Sequence, residues 1–203
     1  MTDTEALPPP LADLVAAVDV RFADTRTVED WADPLADDSP FGRREPREEE
    51  YSRVSHPERY AIVGERADAW VAELLGRGLA DVVDVPPPSE LPPGRQYEGG
   101  DGWLLRPGVR ITRLRVLRPR RHGALPLALG TTTWPDDPGQ SLVVGVGTPF
   151  VERALVPDCG CDACDSGSAD LLRQLDDSLL PVLDGSLRLR LEGGRLDGAS
   201  AEG

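Results

Sequence analysis

Gly108-Val109-Arg110-Ile111-Thr112-Arg113-Leu114-Arg115-Val116 is where the hydrophobic period of this chain drops to two. An apolar residue at every second position gives a strand with one face toward a core and the other toward solvent. Val109 and Ile111 alternate with Arg110 and Thr112, but Leu114 and Val116 resume out of phase, which predicts a bulge near Thr112-Arg113. The turn at His122-Gly123 leads into a second strand from Leu125 to Thr133. After a turn over Trp134-Pro135-Asp136-Asp137-Pro138-Gly139, Leu142 to Val146 is apolar enough for a central strand. Leu79 to Val85 is a candidate strand ahead of these. Leu187, Leu189 and Leu191, alternating with Arg188 and Arg190, predict one after them.

Helical spacing appears in three places. Leu11, Leu14, Val15, Val18 and Phe22 predict a helix over about 10–24. Tyr60, Val63, Ala67, Trp70, Val71 and Leu74 predict one over about 57–76, where Ser55 and Glu58 match a capping box and Pro57 suits a first turn. Leu171, Leu172, Leu175, Leu179 and Leu180 predict a third over about 168–180, with Pro181 near its end. The expected fold is therefore α+β, an antiparallel three- to four-stranded meander sheet packed with two or three helices. Residues 1–50 read as a helix plus a charged, Pro-interrupted linker from Thr27, with Trp31 and Phe41 as its anchors. Residues 51–192 read as a single domain, with a Pro/Gly-rich loop from Pro86 to Gly102, and residues 193–203 as a flexible tail that frays.

Composition removes several functions. All 22 basic side chains are arginine, so P-loop, Schiff-base and S-x-x-K chemistries are out. A net charge of −14 argues against general nucleic-acid or membrane-surface binding and suits a basic protein partner. The start Met1-Thr2-Asp3-Thr4-Glu5 lacks the cationic and apolar regions of a signal peptide, and no uncharged apolar run reaches a membrane span. The resulting expectation is a cytoplasmic protein with reduced thiols. G-x-S-x-G and H-E-x-x-H are absent, as is a complete dinucleotide loop.

All the cysteines lie in Pro157-Asp158-Cys159-Gly160-Cys161-Asp162-Ala163-Cys164-Asp165-Ser166-Gly167-Ser168. Thiolates are soft donors suited to zinc, and structural zinc sites want four ligands. Cys159, Cys161 and Cys164 supply three. His56, Asp158, Asp165 or His122 is the candidate for the fourth. Two other readings stand beside the metal: inert, partly buried thiols, or a redox-active Cys161-x-x-Cys164 pair. The loop lacks the glycine and glutamate spacing of a calcium loop, and Asp165, Ser166 and Ser168 read as caps for the following helix.

This block, with Leu171, Leu172 and Leu175 and the run Tyr51-Ser52-Arg53-Val54-Ser55-His56-Pro57-Glu58-Arg59-Tyr60, resembles an uncharacterised family from high-GC Gram-positive bacteria. The resemblance covers roughly residues 50 to 190, and the cysteine block is its most specific part. The family has no assigned activity, so the resemblance implies a taxon and no mechanism.

Two further features compete with the cysteines. Arg106, Arg110, Arg113, Arg115, Arg118, Arg120 and Arg121 crowd into 103–123 without an acid, and Arg113, Arg115 and Arg118 are candidates for binding phosphate. Pairing with acids across the sheet takes precedence, because the chain lacks global positive charge. His56-Pro57-Glu58 and Cys161-x-x-Cys164 resemble, out of context, the H-x-E and P-C-x-x-C elements of zinc nucleoside deaminases. The leading expectation is a non-catalytic protein-binding or regulatory protein with a structural zinc-binding cysteine loop. A zinc hydrolase or deaminase and a thiol redox protein are the alternatives.

Overall fold

The computed structural model describes residues 9–38, 42–85, 103–104, 110–134, 137–148, 150–192 and 195–200. Phe41, Val109, Pro135, Asp136 and the loop from Pro86 to Gly102 lie outside the described residues. The helices are α1 (Pro9–Thr25), α2 (Ala61–Gly76) and α3 (Ser168–Leu183). The strands are β1 (Ala80–Val85), β2 (Trp103–Leu104), β3 (Arg110–Pro119), β4 (Leu127–Trp134), β5 (Asp137–Val146), β6 (Phe150–Val156), β7 (Leu187–Glu192) and β8 (Arg195–Ser200).

The main sheet runs β1-β3-β4-β5-β6-β2, with five strands antiparallel and the two-residue β2 parallel to β6 at the edge. The α+β class holds, but the sheet is wider than the three or four strands expected. β6 is the addition. Its sequence, Phe150-Val151-Glu152-Arg153-Ala154-Leu155-Val156, carries two charges at its centre, which break the alternation that marks a strand. β7 pairs with β8 as a separate hairpin. The segment expected to fray from Gly193 therefore carries a strand over Arg195–Ser200, whose backbone groups find partners in β7.

The bulge lies where the change of phase puts it. The β3/β4 register slips between Ile111 and Arg113, so Ile111, Leu114 and Val116 share one buried cluster with Ala128, Val143, Phe150 and Leu155. Leu117, Leu127, Leu129, Leu142, Val144 and Val156 join the helices in a second cluster. Gly130 stands where the layers leave no room: a Cβ there would lie 2.7 Å from Cγ1 of Val143.

The helix stripes enter the helix-side cluster. Leu11, Leu14, Val18 and Phe22 come from α1, Val63, Ala67, Trp70 and Leu74 from α2, and Leu171, Leu175, Leu179 and Val182 from α3. Each fully buried side chain of this kind contributes about 1.5–3 kcal/mol. Arg66, 4% exposed, ties all three helices together. It pairs with Asp19 of α1 at 2.7 Å and with Asp176 of α3 at 2.6 Å. Trp70 Nε1 donates to the same Asp176 at 2.6 Å. Among the described residues, no helix is long and apolar enough to cross a membrane.

The single helix expected over 57–76 starts differently. A 3₁₀ turn over Pro57–Tyr60 precedes α2, and its N-cap is His56, without a side-chain cap bond. The Ser55–Glu58 capping box does not form, because Ser55 bonds Asp162 instead and Glu58 lies exposed beside His56.

Candidate metal centre

The cysteine loop joins the C-terminal end of β6 to the N-terminus of α3, so a strand of the main sheet fixes one end and a core helix the other. Between these ends its backbone is gripped by residues 31–60. Asp162 N–H donates to Arg53 O at 2.8 Å and Ala163 N–H to Glu50 O at 3.1 Å. Tyr60 Oη donates to Gly160 O at 3.0 Å. Arg43 Nη2 donates to Ala163 O at 3.1 Å and Asp165 O at 2.7 Å. Gly167 has φ +87°, and a Cβ on it would lie 2.8 Å from Asp33 N, so only glycine lets the loop turn into α3 here.

Two aspartates of the loop act as anchors. Asp162 accepts from Ser55 N–H at 2.8 Å, Ser55 Oγ at 2.6 Å and Arg53 Nε at 2.6 Å. Burial raises its carboxyl, but the Ser55 and Arg53 bonds outweigh that and hold it down to about 2. The Asp165 side chain is 0% exposed and pairs with Arg59, whose guanidinium lies 5.0 Å from the Trp31 ring centroid and 5.5 Å from that of Tyr60. Asp165 also accepts from Trp31 Nε1 at 3.0 Å and from Gly167 N–H at 2.9 Å. Neither Asp165 nor Ser168 caps α3 by a side-chain bond, since its N-cap is Gly167. Ser168 N–H bonds Trp31 O at 3.1 Å, and Ser166 Oγ reaches Asp170 Oδ2 at 2.6 Å.

With its backbone held and both buried carboxylates bonded, the loop presents three sulfurs. The Sγ atoms of Cys159, Cys161 and Cys164 all lie within 4.8 Å of one another, and Cys159 Sγ–H donates to Cys161 Sγ at 3.2 Å. Cys161 is buried, while Cys159 and Cys164 are exposed. Burial pushes the Cys161 thiol up, yet hydrogen bonds from the Cys159 and Cys164 thiols and from the N–H groups of Cys164 and Ala163 bring it below its ordinary value. Cys164 is pushed up to about 12, first by burial and then by the two neighbouring sulfurs. Cys159 rises chiefly through burial. Cys161 is thus the sulfur of the trio that loses its proton most readily, and a bound cation favours the thiolate form of all three. Such a group can hold a metal ion.

None of the expected fourth ligands, His56, Asp158, Asp165 or His122, belongs to the mutually close set, and Asp158, next to Cys159, is exposed. Among the described residues no imidazole or carboxylate joins the mutually close set of three sulfurs. His56, 63% exposed at its side chain, faces Glu58 with Nδ1 3.6 Å from Oε1. Asp165 is committed to its three donors, and His122 sits in the exposed turn between β3 and β4. The deaminase-like reading needs His56 among the ligands, and His56 is not part of the close donor set but faces Glu58.

Three arginines of the run in and just after β3 pair with acids. Arg113 pairs with Asp84 of β1 at 3.7 Å, Arg115 with Asp68 of α2 at 2.5 Å and Arg120 with Asp81 of β1 at 2.7 Å. Arg118 is exposed, opposite Asp81 in the β1/β3 register.

Sequence reading missed the residues that cradle the loop, namely Arg43, Glu50, Arg53, Ser55, Arg59, Tyr60 and Asp162, although it marked Trp31 as an anchor. One signal was present: the run Tyr51–Tyr60 and the cysteine block, which together carry the family resemblance, are the stretches that hydrogen-bond to each other.

A family model described as a family of unknown function (DUF6226) matches residues 18–202. No curated protein and no solved structure matches the chain.

Proposed function

Since the chain belongs to that family of unknown function and inherits no activity from it, we propose from the geometry that Cys159, Cys161 and Cys164 bind one zinc ion as thiolates. One observation carries the reading: three sulfurs lie within 4.8 Å of one another on a loop held at Gly160, Asp162, Ala163 and Asp165 by bonds to residues 31–60. Zinc suits thiolate donors, needs no redox partner and accepts three protein ligands with a fourth position left for another donor. With the ion goes a non-catalytic role in the cytoplasm, exercised by binding another protein. Two features support the non-catalytic part. Asp162, held down to about 2, is an ionised acceptor at neutral pH, and Asp165 is enclosed by donors, so neither of these two buried carboxylates is free to shuttle a proton. Glu58 points into solvent, 76% exposed.

The loop is bonded at so many points that it keeps its shape without the ion. Zinc here is held by the fold and does not create it, unlike the ion of a classical zinc finger. Elemental analysis of protein purified under reducing conditions without chelator tests the reading. About one equivalent of zinc is expected, lost in Cys161→Ser. Less than about half an equivalent, with all three thiols titrating freely, would remove it.

A further inference from the structure

The same loop carries an inference about what the ion is for, and it rests on the zinc reading above. We infer that the ion is cargo: it is passed between this trio and a thiolate-bearing acceptor through a mixed-ligand intermediate, so that the partner of this protein is a cysteine-rich metal acceptor or donor.

Three observations lead there. An ion that pins a loop is expected where the loop lacks other supports, whereas here residues 31–60 supply hydrogen bonds to Gly160, Asp162, Ala163 and Asp165. An ion that activates water needs a proton carrier near its open position, and the buried carboxylates of the loop, Asp162 and Asp165, are occupied. The third observation is access: Cys159 and Cys164 are exposed and Cys161 is buried, so two of the three ligands can be reached from solvent while the last is sheltered. Among the described residues no side chain closes the set to four. An incoming ligand can therefore bind the ion before any resident one leaves.

The exchange needs no oxidant. The acceptor's thiol gives up its proton and its sulfur binds zinc as the fourth ligand. One exposed cysteine, Cys159 or Cys164, then releases its zinc–sulfur bond and takes up a proton. Two repeats carry the ion across, with Cys161 leaving last, and each bond formed is matched by one broken and each proton lost by one gained. Only another thiolate matches the resident ligands in softness, which is why the acceptor is a thiol and not a carboxylate.

The test uses full-length protein carrying one equivalent of zinc and, as acceptor, the metal-free form of a four-cysteine zinc-ribbon peptide, with transfer followed by the peptide's folding in circular dichroism. The transfer rate is expected to rise in proportion to peptide concentration and to exceed by about tenfold the rate at which EDTA, which has no thiol, removes the ion. The zinc-free protein is expected to keep its near-ultraviolet circular dichroism. A transfer rate independent of peptide concentration would overturn the proposal, and so would loss of the folded signal on zinc removal, since either makes the ion a fixture. The loading step separates the two readings: protein that takes up no zinc defeats both, and protein that loads but does not exchange defeats only this one.

Discussion

β3 and the loop after β6 each gather one kind of reactive side chain, and the fold treats them in opposite ways. On β3 and the residue just after it, charged ends meet acids: Arg113, Arg115 and Arg120 pair with Asp84, Asp68 and Asp81. In the loop the scaffold is bonded instead, since the Gly160, Ala163 and Asp165 carbonyls, the Asp162 and Ala163 N–H groups and both buried carboxylates find partners while the sulfurs face one another. A cluster of one residue type is a candidate site when the structure fixes its scaffold and leaves its reactive atoms available.

The comparison breaks most readily at Asp165. Replacing it with alanine leaves the Arg59 guanidinium, only 15% exposed at its side chain, without a counter-charge. A buried pair broken on one side costs about 3–5 kcal/mol, to be read from urea denaturation. A loss under about 1 kcal/mol would mean that the loop is not anchored as described. Asp162→Ala comes next, because it strips the acceptor from Ser55 N–H, Ser55 Oγ and Arg53. A stability loss of about 1–3 kcal/mol is expected. Zinc affinity should weaken by about 10- to 100-fold, measured by competition with a chromophoric chelator, as for other groups that hold ligands in place. Unchanged affinity would show that the sulfurs do not depend on this anchor.

Acid sharpens the contrast further. Glu50, whose carbonyl receives Ala163 N–H, has its carboxyl held down to about 2, first by Arg44 and then by Arg47 N–H. Its folded value lies below the ordinary 4.5, so its stabilising contribution is complete above about pH 4.5 and is lost as the pH falls toward 2. Glu50→Gln should therefore flatten the decline in stability between those limits, measured by denaturation at several pH values; a decline as steep as in the parent would assign it to other groups. The smallest effect is expected on β3. Arg113→Ala and Arg120→Ala remove pairs whose partners are all more than half exposed, and each should cost less than about 1 kcal/mol. A larger loss would make these pairs structural supports on a par with the loop's.

Periodic features were legible because apolar side chains report their own burial. Ile111 and Leu114 being out of phase located the bulge, and the stripes through Leu11 to Phe22, Tyr60 to Leu74 and Leu171 to Leu179 located the helices. β6 escaped because Glu152 and Arg153 interrupt it. The cradle escaped for a different reason. Residues 27–50 look like a linker because their supports are polar atoms far along the chain: Thr27 on Glu65, Trp31 on Asp165 and Arg43 on Ala163. Polar pairing leaves no period to read. Ser55 shows the same limit, since its spacing to Glu58 satisfies a local motif while its hydroxyl bonds a residue 107 positions away. The cysteines were legible as a cluster, but the cradle that holds them was not.

X-ray absorption at the zinc edge of the loaded protein tests the central claim most directly. Three sulfur neighbours at about 2.3 Å are predicted, with a lighter atom completing the shell. A shell with fewer than three sulfurs would contradict it.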